Sequence, residues 1–403
     1  PPGSGKSTLL QIALEAEPQI VVVRYLAFVP DGAQGIGRGE SADFHEDLIA
    51  GLRNTGLQGL RFRRESAHDR REELETLLQQ AAERYRAKGL RTLIIVDGLD
   101  HVAREERPER SFLTDLPLPL SVPDGVLFVL GTQRVDLTDI PPSVQEQARS
   151  PDRLVEMAPL PPAAVAAMAD AAGLLSSISR TRIHELTQGH PLAAQYLLQA
   201  LAAGEEDTRE RILREGFEYV GDIDALYRAA LRGLDQDTEV LDILGLIARS
   251  EAPLDLSQLE STYQAAAIER AFSRVRHLLR RLGEGWSIFH NSFRLFLMRL
   301  ERTRYGVPDA EHSARLYRQL VRIAEQAGSA SPQRFLVARY LMRAGSHDEV
   351  LALATPEMFR TQYLAGRAPS AIRDDIRLAF QSLKFRVEPT AAFKLILASD
   401  EMA

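Results

Sequence analysis

The chain has 403 residues, of which 45% are hydrophobic and 26% charged, a balance typical of a soluble globular protein rather than a disordered or collagen-like one. At roughly 150 residues per domain, this length predicts two to four domains. With 49 Lys and Arg against 56 Asp and Glu, the net charge is −7, so the chain as a whole does not favour nucleic acid or an anionic membrane.

Two further absences narrow the class of protein. The sequence has no cysteine, which excludes disulfides, thiolate metal sites and cysteine nucleophiles and makes the cytoplasm the expected location. Because no apolar run approaches the roughly 20 residues that span a bilayer, no membrane partner is expected.

The first residues, PPGSGKST, match seven of the eight positions of the phosphate-binding pattern GxxxxGK[ST]. Glycines there let backbone N–H groups converge on phosphate oxygens, Lys6 would reach the β- and γ-phosphates, and the Ser7 hydroxyl would ligate Mg²⁺. The missing first glycine leads us to expect an N-terminal truncation inside this motif. The alternative is a Gly/Ser turn before a helix. The residues assigned to nucleotide binding here are Gly3, Ser4, Gly5, Lys6, Ser7 and Thr8.

Strand-like and helix-like segments then alternate. Continuous apolar runs at residues 20–28, 92–97 and 125–134 predict buried strands, and helical periodicity at 43–52 and 70–86 predicts helices between them. This alternation predicts an α/β fold with a doubly wound parallel sheet.

Two carboxylates follow the second of these strands. Asp97 ends the run and would hold Mg²⁺, directly or through water, because carboxyl ends of parallel strands face the ligand crevice. Asp100 would orient or deprotonate an attacking water. His101 stands where related ATPases often have glutamate, which predicts slow turnover. The alternative is that Asp100 and His101 cap the next loop.

The third strand ends in polar residues at the same edge of the sheet. Thr132 or Arg134 would sense the γ-phosphate, and we assign Arg134 to the catalytic group. The alternative is a surface ion pair, the usual role of an arginine at a strand end.

After residue 162 the pattern becomes helical, at residues 163–172 and 179–187. In Gly189-His190-Pro191 a glycine closes one helix and a proline opens the next.

Three further helices are predicted at 235–249, 257–263 and 266–282. A turn at 283–285 then leads into a strand at 286–290. Three helices followed by a β-wing predict a winged-helix domain. The third helix carries arginines that could meet DNA phosphates or a solvated face: Arg270, Arg274, Arg276, Arg280 and Arg281.

From residue 308 onward only helices are predicted, at 311–326, 332–344, 347–354 and 369–383, with an amphipathic pattern at 392–398. Helix pairs of this kind indicate an α-solenoid similar to tetratricopeptide repeats, with ordinary helical packing as the alternative.

The order of these features resembles the signal-transduction ATPases with numerous domains, the STAND class that includes NACHT and NB-ARC proteins and is related to AAA+ ATPases. The resemblance covers roughly residues 1 to 300. It rests on the phosphate loop, the strand ending Asp-Gly-Leu-Asp, the sensor strand, Gly189-His190-Pro191 and Phe289-His290-Asn291.

The resemblance implies roles that spacing alone does not give. Pro191 would lie beside the adenine, and His290 would contact the β-phosphate of ADP and lock an inactive state. The sequence departs from the family pattern at His101 and at Asn291, where the histidine is often followed by Asp.

The resemblance also implies four domains: a P-loop domain at 1–152 without its first strand, a small helical domain at 153–215, a winged helix at 216–304 and a helical sensor start at 305–403. The expected function is an ATP/ADP and Mg²⁺-dependent signalling switch, a slow ATP hydrolase that self-associates on activation and controls an effector outside the chain. A protein trigger would bind the C-terminal helices, and bacterial defence or regulation is the implied setting.

Two alternatives stay open. A DNA-binding P-loop ATPase, such as a replication initiator or transcription regulator, would use the winged helix on duplex DNA, although DNA is the less favoured partner. A pseudo-ATPase scaffold would use bound nucleotide only to support its fold.

Overall fold

The computed structural model describes residues 2–27, 38–59, 67–102, 108, 110–134, 136–174, 177–203, 206–215, 219–234, 237–300, 303–304, 307–327, 332–367 and 369–401. The chain divides into two compact units. The first contains residues 3–30 and 34–158, and the second is built from residues 159–403. Among the helices described, none has both the length and the apolar character needed to cross a membrane.

The first unit mixes helices and strands. Its elements are α1 (Lys6–Thr8) continuing into a π-helical segment (Leu9–Ala13), β1 (Ile20–Leu26), α2 (Ser41–Asn54), α3 (Ala67–Lys88), β2 (Arg91–Asp97), α4 (Leu99–His101), 3₁₀ turns at Phe112–Asp115 and Pro119–Ser121, β3 (Val126–Gly131) and α5 (Pro142–Ala148).

Strands β1, β2 and β3 form a parallel sheet with β2 in the centre, as the sequence predicts. Ile94, Ile95 and Val96 of β2 are all fully buried, so both faces of the central strand are covered. The register places Asp97 level with Leu26 on one side and Gly131 on the other. The carboxyl ends of all three strands therefore meet at one edge.

Two of the three predicted strands are longer than those observed, whereas β2 begins one residue earlier than predicted, at Arg91. β1 ends at Leu26, and Phe28 lies outside the described residues. β3 ends at Gly131, so Thr132 and Arg134 follow the strand instead of belonging to it. Apolar character alone extends a predicted strand past the last residue that pairs with β2.

The second unit is almost entirely helical. Its elements are α6 (Pro162–Ala171), α7 (Ser177–Thr187), α8 (Pro191–Ala203), α9 (Glu206–Glu215), α10 (Ile223–Ala230), α11 (Thr238–Arg249), α12 (Leu256–Leu259), α13 (Ala265–Val275), a 3₁₀ turn (Arg276–Leu278), β4 (Leu279–Leu282), β5 (Gly285–Ile288), α14 (Asn291–Arg299), β6 (Thr303–Arg304), β7 (Val307–Pro308), α15 (Ala310–Gln326), a 3₁₀ segment (Pro332–Leu336), α16 (Val337–Arg343), α17 (His347–Leu353), α18 (Pro356–Leu364), α19 (Pro369–Ser382) and α20 (Pro389–Glu401).

The helix predicted at 266–282 is wrong over its last seven residues. The α-helix ends at Val275, a 3₁₀ turn follows, and Leu279–Leu282 pairs as β4 with β5 in an antiparallel hairpin. Gly283, at φ 61°, makes the tight turn between the two strands. Leu279 and Leu282 fit a helical spacing equally well, and only the pairing partner in β5 decides between the two structures.

This correction also separates the arginines predicted to share one helix face. Arg280 and Arg281 lie on β4, and Arg281 pairs with Glu284 at 2.8 Å. Arg270 pairs with Asp237 at 2.9 Å, and the Arg276 guanidinium lies 5.7 Å from the Trp286 ring centre. Three of the five arginines, Arg270, Arg276 and Arg281, thus contact other side chains of the second unit.

Candidate nucleotide site

The loop before α1 takes the backbone shape that its glycines allow. Gly3 has φ 70° and Gly5 has φ 87° and ψ 7°, both in the left-handed region that side chains other than glycine rarely adopt. The Leu9 N–H donates to the Gly5 carbonyl at 3.0 Å, so the helix begins directly after this turn. Successive turns of this kind aim backbone N–H groups toward an anion.

Lys6 lies beside the acids at the edge of the sheet. Its Nζ donates to Oγ of buried Ser4 at 3.1 Å. Burial lowers the pKa of the Lys6 ammonium, and the negative charges of Asp100 and Asp97 oppose that shift. Lys6 is therefore close enough to interact electrostatically with two acids that lie far from it in the sequence.

Asp97 is buried at the end of β2, where Gln11 binds its carboxylate and Gly131 leaves space for it. Gln11 donates from Nε2 to Asp97 Oδ2 at 2.9 Å. On the neighbouring strand, a Cβ at Gly131 would collide with Asp97 Oδ1 and with the end of the Leu10 side chain. The carboxylate therefore occupies space that exists only because residue 131 has no side chain.

Sequence reasoning did not single out Gln11 or the role of Gly131. Gln11 follows Ser7 by one helical turn, which is the only sequence signal that relates it to the loop. The position of Gly131 opposite Asp97 depends on strand register, which the sequence alone does not supply.

Asp100 is also buried. Gly98, at φ 87°, ends the strand and turns the chain into α4, which contains Asp100. The Gln133 N–H donates to Asp100 Oδ1 at 3.3 Å, so this carboxylate is tied to the segment that follows β3. His101, the next residue, is half-buried.

The remaining predicted residues of the first unit are more exposed. Ser7 and Thr8 are exposed on α1. The Arg134 side chain is 63% exposed, and its Nε lies 3.9 Å from Asp136 Oδ1. This placement matches the surface ion pair that was the alternative for Arg134, so its catalytic role stays a prediction.

In the second unit, Pro191 begins α8 as the helix-boundary prediction requires. α7 ends at Thr187, and Gly189 has φ 69°. A Cβ at Gly189 would collide with the Leu160 carbonyl oxygen, and the Leu160 N–H donates to the Gly189 carbonyl at 2.7 Å. Glycine is required here both for the left-handed backbone and for the close approach.

His290 is the N-cap of α14. Its ring nitrogen Nδ1 accepts a hydrogen bond from the Ser292 N–H at 3.2 Å and lies 2.8 Å from Ser292 Oγ. The ring is half-buried. An imidazole at an N-cap is held in one orientation, which is a requirement for contacting a ligand and also an adequate structural role in its own right.

The residues of the first unit fit a magnesium nucleotide. A left-handed glycine turn, a half-buried ammonium and two buried carboxylates meet the usual needs of phosphate oxygens and of Mg²⁺, which binds through one or two carboxylates plus phosphates and water. Ser7 and Asp97 are the residues that would hold the metal.

No known family model matches this sequence, and no curated protein matches it. Among solved structures, the chain is similar to the crystal structure of a Signal Transduction ATPase with Numerous Domains (STAND) protein with a tetratricopeptide repeat sensor from Pyrococcus horikoshii. The two are 17% identical with a TM-score of 0.39, and the match covers 95% of this chain and 54% of that one. The chain therefore spans about half the length of that protein.

Proposed function

We propose that this chain is an ATP-binding signalling switch with slow ATP hydrolase activity. The observation that carries the proposal is the cluster of Lys6, Asp97 and Asp100 at the carboxyl edge of a parallel sheet, directly after a left-handed glycine turn. The half-buried Lys6 ammonium lies beside two buried acids, and a triphosphate with Mg²⁺ supplies a partner for each sign of charge.

Each residue then has a separate task. Backbone N–H groups around Gly3, Ser4 and Gly5 bind phosphate oxygens, and Lys6 binds the terminal phosphates. The residues Ser7 and Asp97 hold Mg²⁺, which when bound neutralises charge developing on the phosphates. Thr8 is the last residue of α1, the helix that follows the loop.

Hydrolysis is expected to be slow. Asp100 orients the attacking water, while the Gln133 N–H restrains its carboxylate. His101 replaces the acid that is common in related ATPases, and exposed Arg134 lies 3.9 Å from Asp136 Oδ1. A switch needs only a difference in affinity between its two states, so modest turnover is sufficient.

In this proposal, residues of the second unit distinguish bound ADP from bound ATP. Pro191, at the start of α8, contacts the adenine, and His290 contacts the β-phosphate of ADP to hold the inactive state. The proposed parts of this unit are the small helical domain, the winged helix formed by α11–α13 and the β4–β5 hairpin, and the sensor helices after residue 305. Exchange for ATP releases a self-association surface, and a protein trigger binds the C-terminal helices.

DNA binding finds less support. The five arginines of the predicted recognition face divide between α13, a 3₁₀ turn and β4, and Arg270 and Arg281 pair with carboxylates of the same unit. Phosphate binding would have to displace those carboxylates. The expected result is weak binding of duplex DNA that does not respond to replacement of Arg274.

The test of the proposal is Lys6→Met, measured by calorimetry with ATP and with ADP. Loss of charge-assisted hydrogen bonds worth about 1.5–3 kcal/mol each predicts nucleotide affinity lowered about tenfold or more. The matched control is Lys88→Met, an exposed lysine at the end of α3, which should leave affinity unchanged. Equal nucleotide affinity in the Lys6 variant and the control would reject the assignment.

A further inference from the structure

The starting observation is a hydrogen bond whose direction cannot reverse. The backbone N–H of Ser292 can only donate, and its acceptor is His290 Nδ1 at 3.2 Å. Nδ1 therefore carries no proton in this arrangement, and the single ring proton of the neutral imidazole resides on Nε2.

That assignment fixes the direction of three further hydrogen bonds. Ser292 Oγ lies 2.8 Å from the unprotonated Nδ1, so the serine hydroxyl donates to the ring. Having used its proton, Ser292 Oγ accepts from the Tyr227 hydroxyl at 2.6 Å. The Tyr227 oxygen in turn accepts from the Tyr196 hydroxyl at 3.3 Å. We call Tyr196, Tyr227 and Ser292 the hydroxyl relay.

The two tyrosines keep their protons at neutral pH. Both side chains are fully buried. Burial raises the pKa of Tyr227 to about 12 and raises the pKa of Tyr196 well above its ordinary value. Aromatic packing also holds the Tyr227 ring, with ring centres 4.9 Å from Phe293 and 5.2 Å from Phe296. Both tyrosine hydroxyls therefore remain hydrogen-bond donors at neutral pH, and packing holds the Tyr227 ring in place.

The relay joins elements that are distant in the sequence. Tyr196 lies on α8, the helix that begins at Pro191, Tyr227 lies on α10, and Ser292 lies in the first turn of α14. Pro191 and His290 are the two residues of the second unit assigned to the nucleotide. The hydroxyl relay is therefore a continuous hydrogen-bonded path from the helix of one to the side chain of the other.

We propose that Tyr196, Tyr227 and Ser292 are positioning residues that hold His290 in the Nε2–H tautomer, so that it serves as a hydrogen-bond donor to a phosphate oxygen of bound ADP. This inference rests on the proposed function. A donor at Nε2 suits an anionic phosphate, whereas the opposite tautomer would present a lone pair to it.

The first experiment needs no nucleotide. In protein with ¹⁵N-labelled histidine, the ring nitrogen signals of His290 are assigned by their loss in His290→Gln, because the chain contains nine histidines. The wild-type ring should show Nδ1 unprotonated and Nε2 protonated. Tyr227→Phe keeps the aromatic ring, and Ser292→Ala keeps the backbone N–H that caps α14. Both substitutions should shift the His290 ring signals toward those of a mixture of tautomers.

Tyr263→Phe is the matched control. It also removes one hydroxyl from a mostly buried tyrosine, which donates to Gln319 Oε1 at 2.8 Å outside the relay. Its His290 signals should equal those of the wild type. His290 signals that stay unchanged in both Tyr227→Phe and Ser292→Ala, or a wild-type ring protonated at Nδ1, would overturn the relay.

The second experiment measures ADP affinity by calorimetry. Tyr227→Phe should weaken ADP binding about threefold to tenfold, the loss expected for one well-placed hydrogen bond. In a His290→Gln background the same substitution should have no further effect, since the two changes act through one side chain. Independent, additive effects would reject the coupling. Absence of ADP binding by the wild type would instead reject the proposed function, while the ring signals would still decide the relay.

Discussion

Buried charge is organised differently in the two units. In the second unit, the nearly inaccessible Arg339 lies 3.1 Å from Glu251 Oε2 and 3.8 Å from Asp375 Oδ1, and Arg367 pairs with both oxygens of Asp375. Two cations thus meet two carboxylates between helices. At the sheet edge of the first unit, Lys6 interacts with both Asp97 and Asp100, so within this group of three one cation meets two carboxylates.

The difference separates a structural role from a binding role. The four charges of the second unit compensate one another, which joins the loop after α11 to α16 and α19 and needs no ligand. In the first unit one ammonium faces two carboxylates, and the Mg²⁺ proposed at Asp97 would add positive charge beside them. Substitutions among the four buried charges of the second unit should therefore change stability. Substitutions of Lys6, Asp97 or Asp100 in the first unit should change ligand affinity.

The largest expected effect comes from breaking the compensated set. Asp375→Asn leaves Arg339 and Arg367 without their shared buried carboxylate, and removing one partner of a buried ion pair costs about 3–5 kcal/mol. Urea unfolding followed by the fluorescence of Trp286, the only tryptophan of the chain, measures the second unit directly.

Asp348→Asn is the control for this prediction. Asp348 pairs with Arg386 at 3.0 Å, but both side chains are about two-thirds exposed, so the loss should be about 0–1 kcal/mol. Equal effects of the two substitutions would remove the distinction between compensated burial and surface pairing.

Adding a side chain at Gly131 of the first unit should lower both stability and ATP affinity. In Gly131→Ala the new methyl group displaces the Asp97 carboxylate or the Leu10 side chain, and overpacking of this kind costs about 1–3 kcal/mol. Because Asp97 is assigned to Mg²⁺, the Mg²⁺-dependent ATP affinity should also fall about tenfold. Calorimetry with and without Mg²⁺ separates the two effects.

Gly51→Ala supplies the comparison for Gly131→Ala. The added methyl group there would crowd the Val23 side chain of β1, away from the carboxylates. It should lower stability and leave Mg²⁺-dependent ATP affinity at the wild-type level. A similar loss of affinity in both variants would mean that Gly131 acts only through general stability.

Acid should weaken the second unit through His277. Burial lowers the pKa of His277 to about 4, below the 6.5 of an unfolded histidine. The unfolded chain therefore takes up a proton as pH falls below 6.5 while the folded chain stays neutral, so stability present above that pH is lost as pH falls toward 4. Between pH 7 and 5 the loss should be about 2 kcal/mol.

His277→Gln isolates this contribution from that of the other titrating groups. Unfolding monitored by Trp286 at both pH values should show a smaller loss in the variant by that amount. An identical dependence on pH in wild type and variant would contradict the prediction.

The smallest expected change in stability is at Arg134. An exposed pair such as Arg134 with Asp136 contributes about 0–1 kcal/mol, so Arg134→Ala should scarcely alter unfolding. If Arg134 senses the γ-phosphate, single-turnover ATP hydrolysis falls while ADP affinity stays constant. Unchanged hydrolysis would establish the surface ion pair as its only role.

The sequence predicts the features that depend on local chemistry. The glycine turn before Lys6, the strand ending at Asp97 and the helix start at Pro191 all appear where spacing and residue type place them. Each of these is set by the backbone preferences of neighbouring residues, chiefly glycine, proline and runs of apolar side chains.

Features that depend on pairing between distant segments could not be predicted. Leu279–Leu282 fits a helix by periodicity and becomes a strand because β5 pairs with it. The space that Gly131 leaves for Asp97 follows from strand register, and the contact of Tyr227 with Ser292 joins residues 65 positions apart. None of these three features is marked by a pattern among residues that are neighbours in the sequence.

The contact between Gly189 and Leu160 has a mechanical consequence. One short backbone hydrogen bond, from the Leu160 N–H to the Gly189 carbonyl, fastens the segment before α6 to the turn that starts α8. A side chain at residue 189 would push against the Leu160 carbonyl oxygen, so Gly189→Ala should displace both segments at once and loosen the start of two helices of the same unit.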